Sequence, residues 1–494
     1  MDRAISRVFI VGVVLMVALM ANVVWIQVIH AGSLRRAPQN HRVIAQQLRV
    51  KRGLIQGFDG STIAGDARRS GFYYRTYPQG PVAPQIVGYD SARYGQSGIE
   101  ASLNGYLSGA DAGTQGLIDR LLGRHTPGAN VRLTIVPAVQ KVAQSALGSQ
   151  IGAIVALDPT TGAIIAAAST PSYDPARIDA SFPKLVKNPG APLLSRVTQG
   201  LYPPGSSFKV VTATAALNLG KVTPTTPFDD TGVYHIYGGK VTNYHGEIYG
   251  PHDFTKALTD SINTTFAKVG TLIGQAALID QMHHYGFYQR PPLELPLGMV
   301  YPSGRYNGPR LLPTTAAMDP LALASAAIGQ ENVLATPLQM ALVAAGVADA
   351  GQVMKPYLVE RVTSSHGAVL AQASPSLWTT ATSPATAQTL NVMMQQVVNA
   401  GTGTAAALSG IQVAGKTGTA QKGSSNVAWF IAFAPPAIPR WRWRSLSRTP
   451  CSRAATWRRR LPPRSSRPLW RSPDCREPGR SRLRECGNVT VRSL

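Results

Sequence analysis

Tyr202-Pro203-Pro204-Gly205-Ser206-Ser207-Phe208-Lys209 runs into the apolar stretch Phe208 to Leu219, and the reading of this junction decides the fold. Two prolines and a glycine ahead of an apolar run are start punctuation, so a buried helix is predicted with Ser206 in or just before its first turn. Residues three apart share one helix face, which sets the Lys209 amine beside the Ser206 hydroxyl. A hydroxyl is a poor nucleophile without a neighbouring base, and the free N–H groups of a helix start favour an oxyanion. Ser206 therefore reads as a nucleophile and Lys209 as its base. The tetrapeptide pattern alone is cheap, since Ser181-Phe-Pro-Lys184 repeats it. Its company has to carry the reading.

Outward from this junction the chain falls into segments. Residues 1–7 read as a cytoplasmic N-terminus and 8–29 as a transmembrane anchor, because Val8 to Ile29 is apolar apart from Asn22 and Gln27 and about 20 such residues span a bilayer. Arg3 and Arg7 place the N-terminus inside, so the main body is expected outside the cytoplasmic membrane, at a single-pass location. Residues 30–127 mix Gly, Pro and Tyr clusters with short strand-like runs and read as a pedestal or docking domain without chemistry of its own.

A new unit is expected from 128 to 436. Val131–Ile135 reads as a strand, Pro137–Leu147 as a helix, and Ala153–Leu157 with Ala163–Ala168 as a hairpin turning through Asp158-Pro-Thr-Thr-Gly162. After the Ser206 helix comes a long alanine-rich, mostly helical region to about Gly351. Strands return at Ile411–Lys416 and Val427–Phe433. The order strands, helices, strands predicts one sheet assembled from both ends of the domain around a helical insert: an α+β fold.

Two further stretches keep Ser206 company. In Ala257 to Lys268, Asp260 or Ser261 is a candidate N-cap, Ser261 a candidate proton shuttle, and Asn263 an amide to hold a substrate carbonyl. Gly410 to Thr417 matches the phosphate-loop pattern letter for letter, yet Gly418, Gly423, Ser424 and Ser425 follow where a helix would have to start. The reading preferred is an edge strand that brings Lys416 beside the site, with Gly418 permitting close approach of a bound peptide.

The net charge of +24 invites a nucleic-acid reading, but +13 of it lies in the last 58 residues, leaving +11 for the other 436. No basic-aromatic patch of a nucleic-acid reader is present there. Cys451, Cys475 and Cys486 also fall in that last stretch. The nine histidines show no metal-ligand spacing, and His283-His284 reads as helix surface.

Ser206-Ser-Phe-Lys209, Ser261-Ile-Asn263 and Lys416-Thr-Gly418, in this order with the second and third 55 and 210 residues after the serine, resemble the motif set of penicillin-binding proteins and serine β-lactamases. Arg52-Gly-Leu-Ile55, Gly98-Ile-Glu100, Gly329-Gln330, Thr336-Pro-Leu-Gln-Met340, Gly401-Thr-Gly403 and Ala428-Trp-Phe430 sharpen this to a class B, monofunctional D,D-transpeptidase of the compact actinobacterial cell-division type. The resemblance implies an antiparallel sheet flanked by helices with an all-helical subdomain. It implies Ser206, Lys209, Ser261 and Lys416 as catalytic residues and Asn263, Thr417, Gly418 and Thr419 as substrate-binding ones. Peptidoglycan stem peptides ending in D-Ala-D-Ala, and β-lactams, are the implied ligands; no metal or cofactor is needed. A glycan-polymerising glycosyltransferase and division proteins are the implied partners. A D,D-carboxypeptidase or β-lactamase, or a non-catalytic penicillin-binding scaffold, are the alternatives.

The last segment, 437–494, departs from the family. It holds 16 arginines and four of the seven tryptophans, where the family continues with an apolar strand and a closing helix. A shifted reading frame from about Pro436–Arg440 is the expectation. Loss of that strand is expected to split the sheet and loosen Lys416 from Ser206.

Overall fold

The computed structural model describes residues 2–25, 48–111, 127–422, 425–435 and 489–493. Asp2–Val24 is one helix, α1. Its apolar side chains from Phe9 to Val24 are largely exposed. Counted over described residues, no helix is long and apolar enough to cross a membrane.

The pedestal is built on a six-stranded sheet. Strands β1 (Ile55–Gln56), β2 (Thr62–Arg69) and β3 (Phe72–Thr76) occupy one half, and β4 (Asn130–Leu133) pairs with β1 in parallel. Val359–Thr363 and Val369–Gln372 complete it beyond β4. β4, just past the expected boundary at 128, pairs into this sheet, and so do two strands from far down the chain. The two pedestal motifs meet in its interior. Arg52 Nη2 donates to Glu100 Oε2 at 2.9 Å, while Arg75 donates to Glu100 Oε1 at 2.6 Å and to Asp66 Oδ1 at 3.0 Å. Burying these charges is tolerable because each faces an opposite one.

Helix α2 (Pro137–Leu147) begins on its proline as predicted. The hairpin β5 (Gly152–Leu157) and β6 (Ile164–Thr170) follows, almost wholly buried. After the 3₁₀ turn Gly205–Phe208, helix α3 (Lys209–Asn218) is buried from Lys209 through Ala216, so it is the central post of the domain. Helix α4 (Asn263–His284), kinked at Gly274, packs on it, and α5 (Pro337–Ala348), capped by Thr336, runs under the second sheet. Helix α6 spans Pro384–Ala400. The insert is not all-helical: Pro227–Asp230 with Gly250–Asp253, and Val233–Ile236 with Gly239–Thr242, form two antiparallel pairs. Gly232, Gly238, Gly239 and Gly250 supply the turns that an alanine count conceals.

The second sheet has five strands. The chain supplies β7 (Ala414–Lys422), β8 (Ser425–Phe433) and β9 (Val489–Ser493), and the order is β7-β8-β9-β5-β6, antiparallel at every step. The strand expected at Ile411–Lys416 begins later, at Ala414, and is the sheet edge. The expectation of a split sheet is corrected. Backbone pairing sets Val491 between Ile431 and Val155, so the end of the arginine-rich segment fills the gap.

Candidate active site

Ser206 lies in the 3₁₀ turn that leads into α3, where residues three apart eclipse one another. This puts Ser206 and Lys209 on one face of the junction. Gly205 has φ +52°, and a Cβ there would lie 2.4 Å from the Thr419 carbonyl oxygen. A Cβ on Gly418 would lie 2.8 Å from the Pro204 carbonyl oxygen and 2.9 Å from the Ser207 nitrogen. The close approach that Gly418 permits is thus by the Ser206 turn itself, which locks the nucleophile loop to β7.

The finer motifs form the rest of this frame. Gly205 N donates to Gly329 O at 2.9 Å, and Tyr202 and Ala335 exchange two backbone hydrogen bonds at 3.0 and 2.8 Å. Trp429 Nε1 donates to Pro203 O at 2.9 Å. Every one of these bonds ends on the stretch Tyr202–Gly205.

Two lysines converge on Ser261. Lys209 Nζ donates to Ser261 O at 2.6 Å and to Asn263 Oδ1 at 2.7 Å, and lies 3.3 Å from Ser261 Oγ. Lys416 Nζ donates to the same Oγ at 2.8 Å and to Thr417 O at 3.0 Å. Both lysines are fully buried. Burial first, and then the Lys416 charge, hold Lys209 well below the usual lysine range; burial pushes Lys416 down to about 7. A neutral amine has two N–H groups and one lone pair. At Lys209 the two strong acceptors take the N–H groups, which frees the lone pair for a proton from Ser206 or Ser261. Among the described residues Ser206 Oγ makes no hydrogen bond to Lys209, so the pair shares a face without being closed.

Ser261 is not a cap. It stands between the helix Phe254–Thr259 and α4 with φ +63°, a region costing a non-glycine residue about 1–3 kcal/mol. That turn directs its carbonyl to Lys209. Asp260 instead pairs with Lys256 at 2.5 Å. The capping expectation is corrected because the α4 amide groups are satisfied from elsewhere: Asn243 Oδ1 accepts from Asn263 N at 2.9 Å and Thr264 N at 3.1 Å. Asn243 in turn rests on Asp230. Burial alone would raise the Asp230 pKa, but hydrogen bonds from Thr264, Tyr249, Gly232 and Asn243 outweigh it and hold the carboxyl below its ordinary value.

Thr417 and Thr419, two apart on β7, share a face that is open to solvent in part. Thr402 Oγ1 lies 2.6 Å from Thr417 Oγ1, joining the Gly401-Thr-Gly403 motif to the site. Sequence reasoning assigned Thr402 no role and missed Asn243, Thr242 and Asp230 altogether. Ser181 and Lys184 lie on a separate helix, Ile178–Lys187, where Ser181 bonds Arg177 O. Lys416 lies inside the strand Ala414–Lys422, where a phosphate loop requires a helix to start, which excludes the phosphate-loop reading.

Residues 152–453 match the penicillin binding protein transpeptidase domain, and residues 52–131 the penicillin binding protein A dimerisation domain. The chain belongs to the penicillin-binding protein transpeptidase family. Its relatives include the peptidoglycan D,D-transpeptidase PbpA of Mycolicibacterium smegmatis, 35% identical over 473 residues, covering 89% of this chain and 92% of that one. Among solved structures, the ceftriaxone acyl-enzyme complex of penicillin-binding protein A from M. tuberculosis aligns with a TM-score of 0.72 at 32% identity, covering 79% of this chain and 91% of that chain. The D,D-transpeptidase domain of a peptidoglycan glycosyltransferase from Eggerthella lenta aligns with a TM-score of 0.71 at 35% identity, covering 79% and 92%. Within this family the transpeptidase match begins at β5, and the dimerisation match ends inside β4, the strand that the pedestal shares with the rest of the chain.

Proposed function

We propose that the chain is a peptidoglycan D,D-transpeptidase acting through a Ser206 acyl-enzyme. The observation that carries this reading is the convergence of two buried, pKa-lowered lysines on the Ser261 hydroxyl beside the Ser206 turn. Neutral Lys209 takes the Ser206 proton as Oγ bonds to the carbonyl carbon between the two terminal D-alanines. The backbone N–H groups of Ser206 and Thr419 hold the oxyanion, where one donor is worth about 3 kcal/mol. The proton passes through Ser261 to the leaving amine as the C–N bond breaks, and D-alanine departs. A stem-peptide amine then attacks the ester; its proton returns along the same path, the C–O bond to Ser206 breaks, and the cross-link is made. Asn263 orients Lys209, and the Thr417 and Thr419 hydroxyls bind the terminal carboxylate against Gly418. β-Lactams enter the first step and stop there.

Labelling with a fluorescent penicillin tests the reading. A stable adduct that disappears in Ser206→Ala is expected. Rapid turnover of the adduct would instead make the protein a carboxypeptidase or β-lactamase, and no adduct a penicillin-binding scaffold.

We also infer a single-pass anchor at 8–29 with the catalytic domain outside the cell membrane, supported by the exposed apolar side chains of α1. A glycan-polymerising glycosyltransferase and division proteins are inferred as partners from the family alone. Deleting residues 1–29 is expected to release the protein from the membrane fraction and to end its co-purification with such an enzyme; unchanged sedimentation would rule the anchor out.

A further inference from the structure

The start of α4 carries Asn263 into the site, yet its neighbour in sequence, Ile262, offers no side-chain cap. The cap crosses from Asn243. Its Oδ1 accepts from Asn263 N at 2.9 Å and from Thr264 N at 3.1 Å. Its Nδ2 donates to Asp230 Oδ2 at 2.7 Å and to Glu247 O at 2.9 Å. Both ends of the amide are in use, so only one orientation satisfies it. Asn243 is 4% and Asp230 1% exposed, so solvent has little access to either bond.

Asp230 is itself fixed by Gly232 N, Tyr249 N and Thr264 Oγ1. The residue before Asn243 grips the other end of Asn263, for Asn263 Nδ2 donates to Thr242 O at 3.0 Å. The Asn263 amide is thereby held with its oxygen toward Lys209, 2.7 Å away. Turned over, it would present N–H groups to Lys209, and the lysine would lose the acceptor that fixes its lone-pair direction.

We propose that Asn243 is a positioning residue for acyl transfer, acting through Asn263 on Lys209. Asp230 anchors it. This rests on the transpeptidase reading given above. A buried helix start left without its cap either frays or draws the chain aside, and catalytic geometry tolerates little of either.

The test measures acylation by a fluorescent penicillin in the full chain, with melting temperatures, for wild type, Asn243→Ala, Asn263→Ala and the double variant. Asn243→Ala is expected to slow the acylation step tenfold or more with little change in the preceding non-covalent dissociation constant. In the Asn263→Ala background the same change is expected to cost less than threefold, because the path through Asn263 is already cut. The exchanged pair Asn243→Asp with Asp230→Asn keeps an acceptor for the two amide groups and is expected to recover rate above Asn243→Ala. A loss under threefold in Asn243→Ala, or an equal loss in both backgrounds, overturns the proposal. Should Asn243→Ala give no melting transition, Asn243→Ser replaces it with the same thresholds. Wild type that takes no label defeats the transpeptidase reading and this role with it; labelled wild type with unimpaired variants defeats this role only.

Discussion

Lys416 is a cation buried with a hydroxyl and a carbonyl as its hydrogen-bond partners. Its pKa is about 7 in the folded protein against an ordinary lysine value of 10.5. Between those values the unfolded chain binds the proton and the folded one does not, so this residue makes stability rise with pH across that window. Below about pH 7 both states hold the proton and the dependence ends. Lys416→Met is expected to remove the slope: between pH 7 and 9 wild type gains on the order of 2 kcal/mol over the variant in urea unfolding. The same substitution takes away a charge that lowers the Lys209 pKa. The acid limb of the penicillin acylation profile therefore moves to higher pH. Parallel stability curves and an unmoved limb together would show that Lys416 does not carry its charge in the way its burial requires.

At the scale of elements, what could be read from the sequence was what is encoded locally. Pro137–Leu147 was legible because a proline start and a helical period lie within a dozen residues, and the β5–β6 hairpin because Asp-Pro and Thr-Gly mark its turn. The Ser206 turn was legible for the same reason, and its motif partners by resemblance. The sheet assembled from both ends of the domain was legible in the order of its strands, whereas the pairings that complete the pedestal sheet were not. Nothing in Val359–Thr363 announces that it joins β4, more than two hundred residues earlier, and nothing in Asn130–Leu133 says that it pairs with β1 on its other side. The Asn243 cap was hidden likewise, since Ser261 looks like a cap by type and only the fold shows it in a left-handed turn. Gly418 was singled out for its freedom to let a chain pass close, and Pro204–Ser207 is a stretch that does so.

Whole-molecule continuity depends on five residues at the far end of the chain. Without β9, strands β8 and β5 would each lose a partner, and the β7–β8 pair would be held to the rest of the domain by helix packing, the glycine contacts at Gly205 and Gly418 and the Trp429–Pro203 hydrogen bond. Lys416 stands on β7, so a closed sheet adds to the direct contacts that fix it relative to the Ser206 turn. The composition from Ala437 onward still reads as a shifted frame by our inference, and a gene sequence in which no other frame encodes an apolar strand and helix would end it. What this chain uses is a separate question, and Val491→Pro answers it. Proline lacks the N–H a central strand must donate and is confined to edge strands. Val491 pairs with Ile431 on one side and Val155 on the other, so it is central. The variant is expected to melt at least several degrees lower and to lose penicillin labelling, while Val491→Thr, which keeps the N–H and the β-branch, keeps both. A Val491→Pro protein that labels and melts like wild type would mean that Val489–Ser493 is not what holds β8 to β5.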